Sequence, residues 1–167
     1  DLIYRFMDQA NLEAMISSSR GAAFGVANNA GKAGEELKQY LPSLIPRLFR
    51  LQYDPNKSTQ DAMSNIWKAL VPEPKNAVDE YFDAIMKELL SNVTGRLWKS
   101  REGSCAAMAD LLQGRQWKQI AGYFKEVWEV TFRAMDDIKE TVRNAAGVLC
   151  RSLSSLTCRI CDPSLTA

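Results

Sequence analysis

Few residues in this chain have side chains and spacing suited to chemistry. They are the pair Cys158-x-x-Cys161, the run Asp136-Asp137-Ile-Lys-Glu-Thr-Val-Arg143, and the loop Gly31-Lys32-Ala33-Gly34. Cys158 and Cys161 have the spacing of half a metal or redox motif, and a tetrahedral site would draw on Cys105 and Cys150 for its other thiolates. Both of those lie in helical tracts flanked by Ala, Val and Leu, so four free thiols, buried or partly exposed, are expected instead. The sequence contains no histidine. Ser-His and Cys-His nucleophile pairs, and every zinc site that requires imidazole, are thereby removed. The glycine loop lacks a preceding strand, the second spaced glycine and a following Ser or Thr, so it reads as a turn between helices. Asn56-Lys-Ser58 and Asn92-Val-Thr94 match the glycosylation pattern, which is too short to carry weight here. No catalytic, cofactor-binding or metal-binding residue is assigned.

The acidic run has two readings. As a general acid and base its carboxylates would need a partner base or an electrophile, and none accompanies them. As a structural device, a carboxylate in a turn caps a helix start, where exposed amides favour negative charge, while an Arg six residues on reaches a neighbouring turn. The spacing recurs more faintly as Asp54 before Gln60. A ladder of turn residues, Asp54, Asp137, Arg101 and Arg143, is therefore expected.

That recurrence belongs to a wider pattern. Arg20-Gly-Ala-Ala, Gln60-Asp-Ala-Met, Arg101-Glu-Gly-Ser and Arg143-Asn-Ala-Ala align without a gap, 40, 41 and 42 residues apart. Twenty residues before the last three anchors stand Tyr40, Tyr81 and Tyr123, followed by Leu41, Phe82 and Phe124. Leu37, Val78 and Ile120, then Leu44, Ile85 and Val127, then Ile45, Met86 and Trp128, fall at offsets that make one stripe of a leading helix. After the anchor, Val26, Ile66, Ala107 and Leu149, with Ala30, Leu70, Leu111 and Leu153, form the stripe of a trailing helix. A repeat of this period with two helices per unit predicts an all-α fold, an α-solenoid of HEAT-like repeats with about four antiparallel helix pairs. Gly and Pro punctuation places the helices near 2–10, 18–31, 35–51, 57–71, 75–92, 97–113, 117–134 and 138–161. Pro42 and Pro46 inside the third predict a bend.

At 167 residues the chain reads as a single HEAT-repeat segment, 1–167, able to bury a core without disulfides. Lys plus Arg number 21 against 20 for Asp plus Glu, so no global field would recruit nucleic acid or an anionic membrane. No apolar run reaches the length of a membrane span and no signal peptide is visible, so the chain is expected to be a soluble piece of something longer. Leu2, Ile3, Phe6 and Met7 at one end, with Leu153, Leu156 and Ile160 at the other, would face neighbouring repeats. Left uncovered, they favour self-association.

Residues that break the repeat are the better binding candidates, because packing already explains those that make it. Trp98 falls where other units carry Ser17, Lys57 and Glu140, and Trp117 where others carry Gly34 and Lys75. Arg96, Lys99 and Arg101 flank the first, Arg115 and Lys118 the second. Arg96, Trp98, Lys99, Arg115 and Trp117 are therefore candidate protein-binding residues, since aromatic and Arg side chains anchor interfaces. The alternative is that both tryptophans plug gaps between units. Trp128 and Trp67 occupy apolar registers and read as core.

Longer words carry a more specific signal: Tyr4-Arg-Phe-Met-Asp-Gln-Ala-Asn11, Arg20-Gly-Ala-Ala-Phe-Gly25, Leu44-Ile-Pro-Arg-Leu48, Tyr53-Asp-Pro, Arg96-Leu-Trp-Lys-Ser-Arg-Glu102 and Phe132-Arg-Ala-Met-Asp-Asp-Ile-Lys-Glu-Thr-Val-Arg143. By these the chain resembles the proteasome adaptor and scaffold family, very large HEAT-repeat proteins of the extracellular-mutant type, and would lie in the C-terminal half of such a protein. The match is poorer over Leu12 to Ser19 and Val26 to Glu36. The resemblance implies a non-enzymatic scaffold of cytoplasm and nucleus that binds the regulatory and core particles of the proteasome and links them to quality control. Two other readings share the architecture: a nuclear transport receptor, which would show acidic inner surfaces, and a nucleic-acid-binding solenoid, which would need a basic stripe.

Overall fold

The structure, a computed structural model, describes residues 41–162. The expected helices at 2–10 and 18–31, the start of the one at 35–51, Tyr40, the Gly31 loop, the apolar residues near Leu2 and Pro163 lie outside the described residues. Among the described residues there are eight helices and no strand. They are α1 (Leu41–Leu51), α2 (Lys57–Leu70), α3 (Pro74–Glu80), α4 (Phe82–Val93), α5 (Trp98–Leu111), α6 (Trp117–Ile120), α7 (Phe124–Met135) and α8 (Glu140–Cys161). The chain divides between Ile85 and Met86 into two compact units. None of these helices is long and apolar enough to cross a membrane.

In the first unit α1 packs against α2. Leu44, Ile45, Leu48 and Phe49 are buried on α1, and Met63, Ile66 and Trp67 on α2, at the spacings the repeat predicts. Phe49 meets Trp67 edge to face at 6.0 Å, an arrangement that suits the ring quadrupoles. Trp67 is core, as its register requires. The helix runs without interruption through the buried Pro46. At the start of α2, the side chain of Asn56 accepts from the backbone of Ser58 at 3.0 Å and of Thr59 at 3.3 Å. Asn56 is thus the cap, and its own N–H donates to Asp54 Oδ1 at 2.8 Å. Asp54 supports the cap rather than supplying it, which corrects the sequence reading: the carboxylate lies two residues ahead of the position from which a side chain reaches the first free amides.

In the second unit α8 packs on both α5 and α7. One stripe of α8, Val142, Ala146, Leu149, Leu153 and Leu156, is buried throughout, with steps of four and three that keep it on a single face. Helix α5 instead buries residues around most of its girth: Gly103, Ser104, Cys105, Ala107, Met108, Ala109 and Leu111. It is the interior helix of the unit, and its small side chains let neighbouring backbones approach. Thr131 of α7 occupies the register held by Leu48 and Leu89 and is as fully buried as they are. Its hydroxyl donates to the Val127 carbonyl at 2.6 Å, which makes a polar group tolerable there.

Two expected helices are each broken in two. The single helix placed at 75–92 is α3 followed by α4, and that at 117–134 is α6 followed by α7. Both breaks fall on the tyrosine register. Tyr81 has φ −99° and ψ 17°, and Tyr123 φ −110° and ψ −12°, a backbone region that interrupts the helical course. The i→i−4 bond from Ile85 to the Tyr81 carbonyl, 2.9 Å, and that from Val127 to the Tyr123 carbonyl, 2.9 Å, start the new segments. The apolar stripe continues across the break, so periodicity alone gives no sign of it. In the turn that follows α5, Gly114 has a φ of 70°, in the left-handed region that glycine adopts freely. A Cβ there would meet nothing within 4 Å, so the cost of Gly114→Ala is backbone strain alone. Urea titration is expected to show a loss of about 1 kcal/mol.

Candidate binding surface

The turn before α8 holds the most tightly organised polar cluster of the second unit. Arg101, one turn into α5, donates from Nε to Asp137 Oδ2 at 2.6 Å and from Nη2 to Oδ1 at 3.1 Å. Its Nη1 donates to the carbonyls of Gly95 and Arg96, both at 3.0 Å. One planar guanidinium therefore closes its own turn and grips the turn of the following repeat, a geometry a lysine ammonium cannot reproduce. Asp137 also accepts from the backbone N–H of Lys139 at 2.9 Å. The side chains of Arg101 and Asp137 are only 15% and 9% exposed, so the pair is a partly buried, bidentate one rather than a surface contact. Arg143 repeats half of this arrangement, donating from Nη1 to the Asp137 carbonyl six residues back at 2.7 Å. The registers at Gln60 and Gly95 carry neither a guanidinium nor a carboxylate.

The Arg101 hydrogen bond holds Asp137 below its ordinary 3.8; partial burial acts the other way, and the Lys139 amide with the charges of Arg101 and Arg143 adds to the lowering. Arg101 is raised in turn, chiefly by that hydrogen bond. These residues form a structural clamp. The clamp contains neither a free base nor a nucleophile. Cys105, buried beneath it, is pushed up to about 12 by burial first and then by Asp137 and Glu102, so it stays a thiol near neutrality. Cys150 is half-buried, and Cys158 and Cys161 are exposed; all four are free thiols. Among the described residues no cluster of three or more Cys, Asp or Glu is placed to hold a metal.

The five candidate binding residues do not form one patch. Trp98 opens α5, half-buried, with the Lys139 ammonium 4.9 Å from its ring centroid. Arg96 is exposed beside it and Lys99 is half-buried. Trp117 and Arg115 follow the far end of the same helix, about 20 Å away at 1.5 Å per residue. Arg115 is half-buried, and its Nε caps the last turn of α5 through the Leu111 carbonyl at 2.9 Å. Trp117 is 47% exposed and meets Phe124 edge to face at 5.2 Å.

The sequence reading missed what lies next to Trp117. Phe124, Trp128 and Phe132 stand four residues apart on α7, with ring centroids 6.5 Å and 5.2 Å apart in succession. Phe132 is 58% exposed, and Met135 and Ile138 continue the apolar exposure beyond it. Trp128, expected in the core, is half-buried on this stripe. Its register is apolar, but register tells which way a side chain faces on its helix and not whether anything lies over it. Leu97 and Val148 are the other large apolar residues left open in this unit.

Paired helices tied at their turns, with an exposed aromatic face, define an all-helical repeat segment. No family model matches the sequence. The chain is 47% identical over 164 residues to the human proteasome adapter and scaffold protein ECM29, covering 98% of this chain and 9% of that protein. It is 34% identical over 166 residues to the proteasome component ECM29 of Saccharomyces cerevisiae, covering 96% of this chain and 9% of that protein. To the proteasome-associated protein ECM29 homolog of Drosophila melanogaster it is 34% identical over 167 residues, covering 87% of this chain and 9% of that protein. Along nearly its whole length the chain is homologous to one segment of the ECM29 proteins, and it spans less than a tenth of their length.

Because Asp137 is depressed, the clamp contributes its full stability above the ordinary carboxylate range and loses it as pH falls through the lower, folded value. Thermal melts carried from neutral to strongly acidic pH should show Asp137→Asn less stable than the parent at neutrality, the gap closing in acid. Thiol labelling near neutrality, read by mass spectrometry, should modify Cys158 and Cys161 and leave Cys105 untouched until the chain unfolds.

Proposed function

We propose that this chain is a non-enzymatic scaffold segment of a proteasome adaptor, binding the proteasome and helping to link its regulatory and core particles to quality control. The observation that carries the reading is the 47% identity to the human proteasome adapter and scaffold protein over 98% of the chain. The physical character of the segment supports it. A helical-repeat array presents long surfaces to partners, and its most ordered polar group is spent on tying turns together rather than on a reaction. Partner proteins rather than nucleic acid suit a net charge of +1. The nuclear-transport reading is not favoured, since the relatives carry a different name and role. The segment acts in the cytoplasm and nucleus, where proteasomes work. Trp98 with Arg96 and Lys99, and Trp117 with Arg115, are the side chains through which it touches a partner. Of the end residues expected to drive self-association, Leu153 and Leu156 are buried against the other helices of the second unit, which corrects that part of the sequence reading.

Affinity capture of the natural polypeptide, with and without residues 41–162, tests the reading. Proteasome subunits should be depleted from the eluate of the deleted form. Trp117→Ala should weaken capture severalfold with melting unchanged, because its ring is half open to solvent. Equal recovery from both forms would overturn the assignment of binding to this segment.

A further inference from the structure

Asp137 is held by three partners. Its carboxylate accepts from Nε and Nη2 of Arg101 and from the Lys139 amide, and its carbonyl accepts from Arg143. The next residue, Ile138, is 95% exposed. In the preceding repeat Arg101 Nη1 grips the carbonyls of Gly95 and Arg96, and the residue that follows, Leu97, is 52% exposed. One guanidinium therefore holds the residue just before each of two open aliphatic side chains and brings the two turn tips together. The Lys139 ammonium, 4.9 Å from the Trp98 ring centroid, ties them a second time. A single exposed aliphatic residue is ordinary at a protein surface. Two on adjoining turns of fixed backbone are a different matter, because rigid groups have little freedom left to lose on binding.

The charges around them favour one sign. Residues 94–101 and 136–143 contain five bases, Arg96, Lys99, Arg101, Lys139 and Arg143, against three acids, Asp136, Asp137 and Glu140, a surplus of two positive charges. The matching stretch of the first unit, residues 53–60, has one acid, Asp54, and one base, Lys57, with Pro55 at the register of Ile138. We propose that the paired turn tip, with Ile138 and Leu97 as anchors, inserts into an apolar pocket rimmed by carboxylates on a folded partner protein. The shape selects a pocket: a side chain this exposed stands out from its surroundings, and it is buried only by entering a concavity on the other molecule. Arg96, Lys99 and Lys139 select the sign of the rim. Such docking rests on the proposed binding of this segment to the proteasome, and adds to it the anchoring side chains and the chemistry of the surface that receives them.

A photo-crosslinker at position 138 of the full natural polypeptide, mixed with purified proteasome, tests it. Illumination should join position 138 to a proteasome subunit, at an apolar pocket flanked by Asp or Glu. Ile138→Ser should weaken proteasome binding about tenfold with melting unchanged, since so exposed a side chain has few contacts to lose. Arg96→Glu should slow association severalfold, most at low salt. Pro55→Ser should change neither affinity nor rate. Crosslinks confined to the polypeptide itself or to a second copy of it would overturn the docking. So would Ile138→Ser binding like the parent while deletion of residues 41–162 abolishes capture, a result that leaves the segment's binding to the proteasome intact. Equal capture with and without residues 41–162 would overturn both.

Discussion

A guanidinium placed between two consecutive turns is the interaction on which the second unit depends. Arg101 reaches backward to the carbonyls that end its own turn and forward to the carboxylate that opens the next helix. Helices stacked only through apolar stripes can slide by a turn, because Leu, Ile and Ala stripes are nearly self-similar at a helical repeat. A bidentate pair cannot slide without breaking two charge-assisted bonds in a site that is mostly shielded from water. Register between α5 and α8 is thus set by one polar contact, while the free energy of holding them together comes from Leu149, Leu153, Leu111 and Met108. The same contact depresses Asp137, while burial above all keeps the Cys105 thiol beneath it protonated.

The clamp also frees the outer surface for other work. On α7 a row of three aromatic rings runs from the half-buried Phe124 and Trp128 to Phe132, which is open to solvent. Repeat architectures leave such faces open at every step, since no unit buries its own stripe and each depends on the next.

Much of the fold was legible because it repeats. The apolar registers at Leu44, Ile85 and Val127, and at Ile66, Ala107 and Leu149, are all buried, and an alignment of the chain with itself is enough to find them. Asp137 and Arg143 stood out as an acid six residues before an arginine, but the bond that Arg101 makes to Asp137, 36 residues on, follows from stacking that no local spacing records. The kinks at Tyr81 and Tyr123 were not legible, since a stripe that continues across a break leaves the same pattern as one that does not. The role of Asn56 was masked by Asp54, two plausible caps two residues apart of which only one is within reach of the first amides. Trp128 was placed in the core and Phe132 was passed over for a deeper reason. Their registers mark them as inward-facing, and whether anything covers an inward face is decided by residues beyond the repeat that carries it. Relationship to the ECM29 proteins was legible in words such as Phe132-Arg-Ala-Met-Asp-Asp, which no packing rule dictates.

The central claim, that Arg101 and Asp137 act as one coupling element between successive turns, is tested most directly by a double-mutant cycle of Arg101→Met and Asp137→Asn in urea unfolding. An energetically coupled pair of this burial predicts an interaction energy of about 2 kcal/mol, with the double variant little worse than either single one. Additive losses, with a coupling energy indistinguishable from zero, would contradict the account and leave the stacking to the apolar stripes alone.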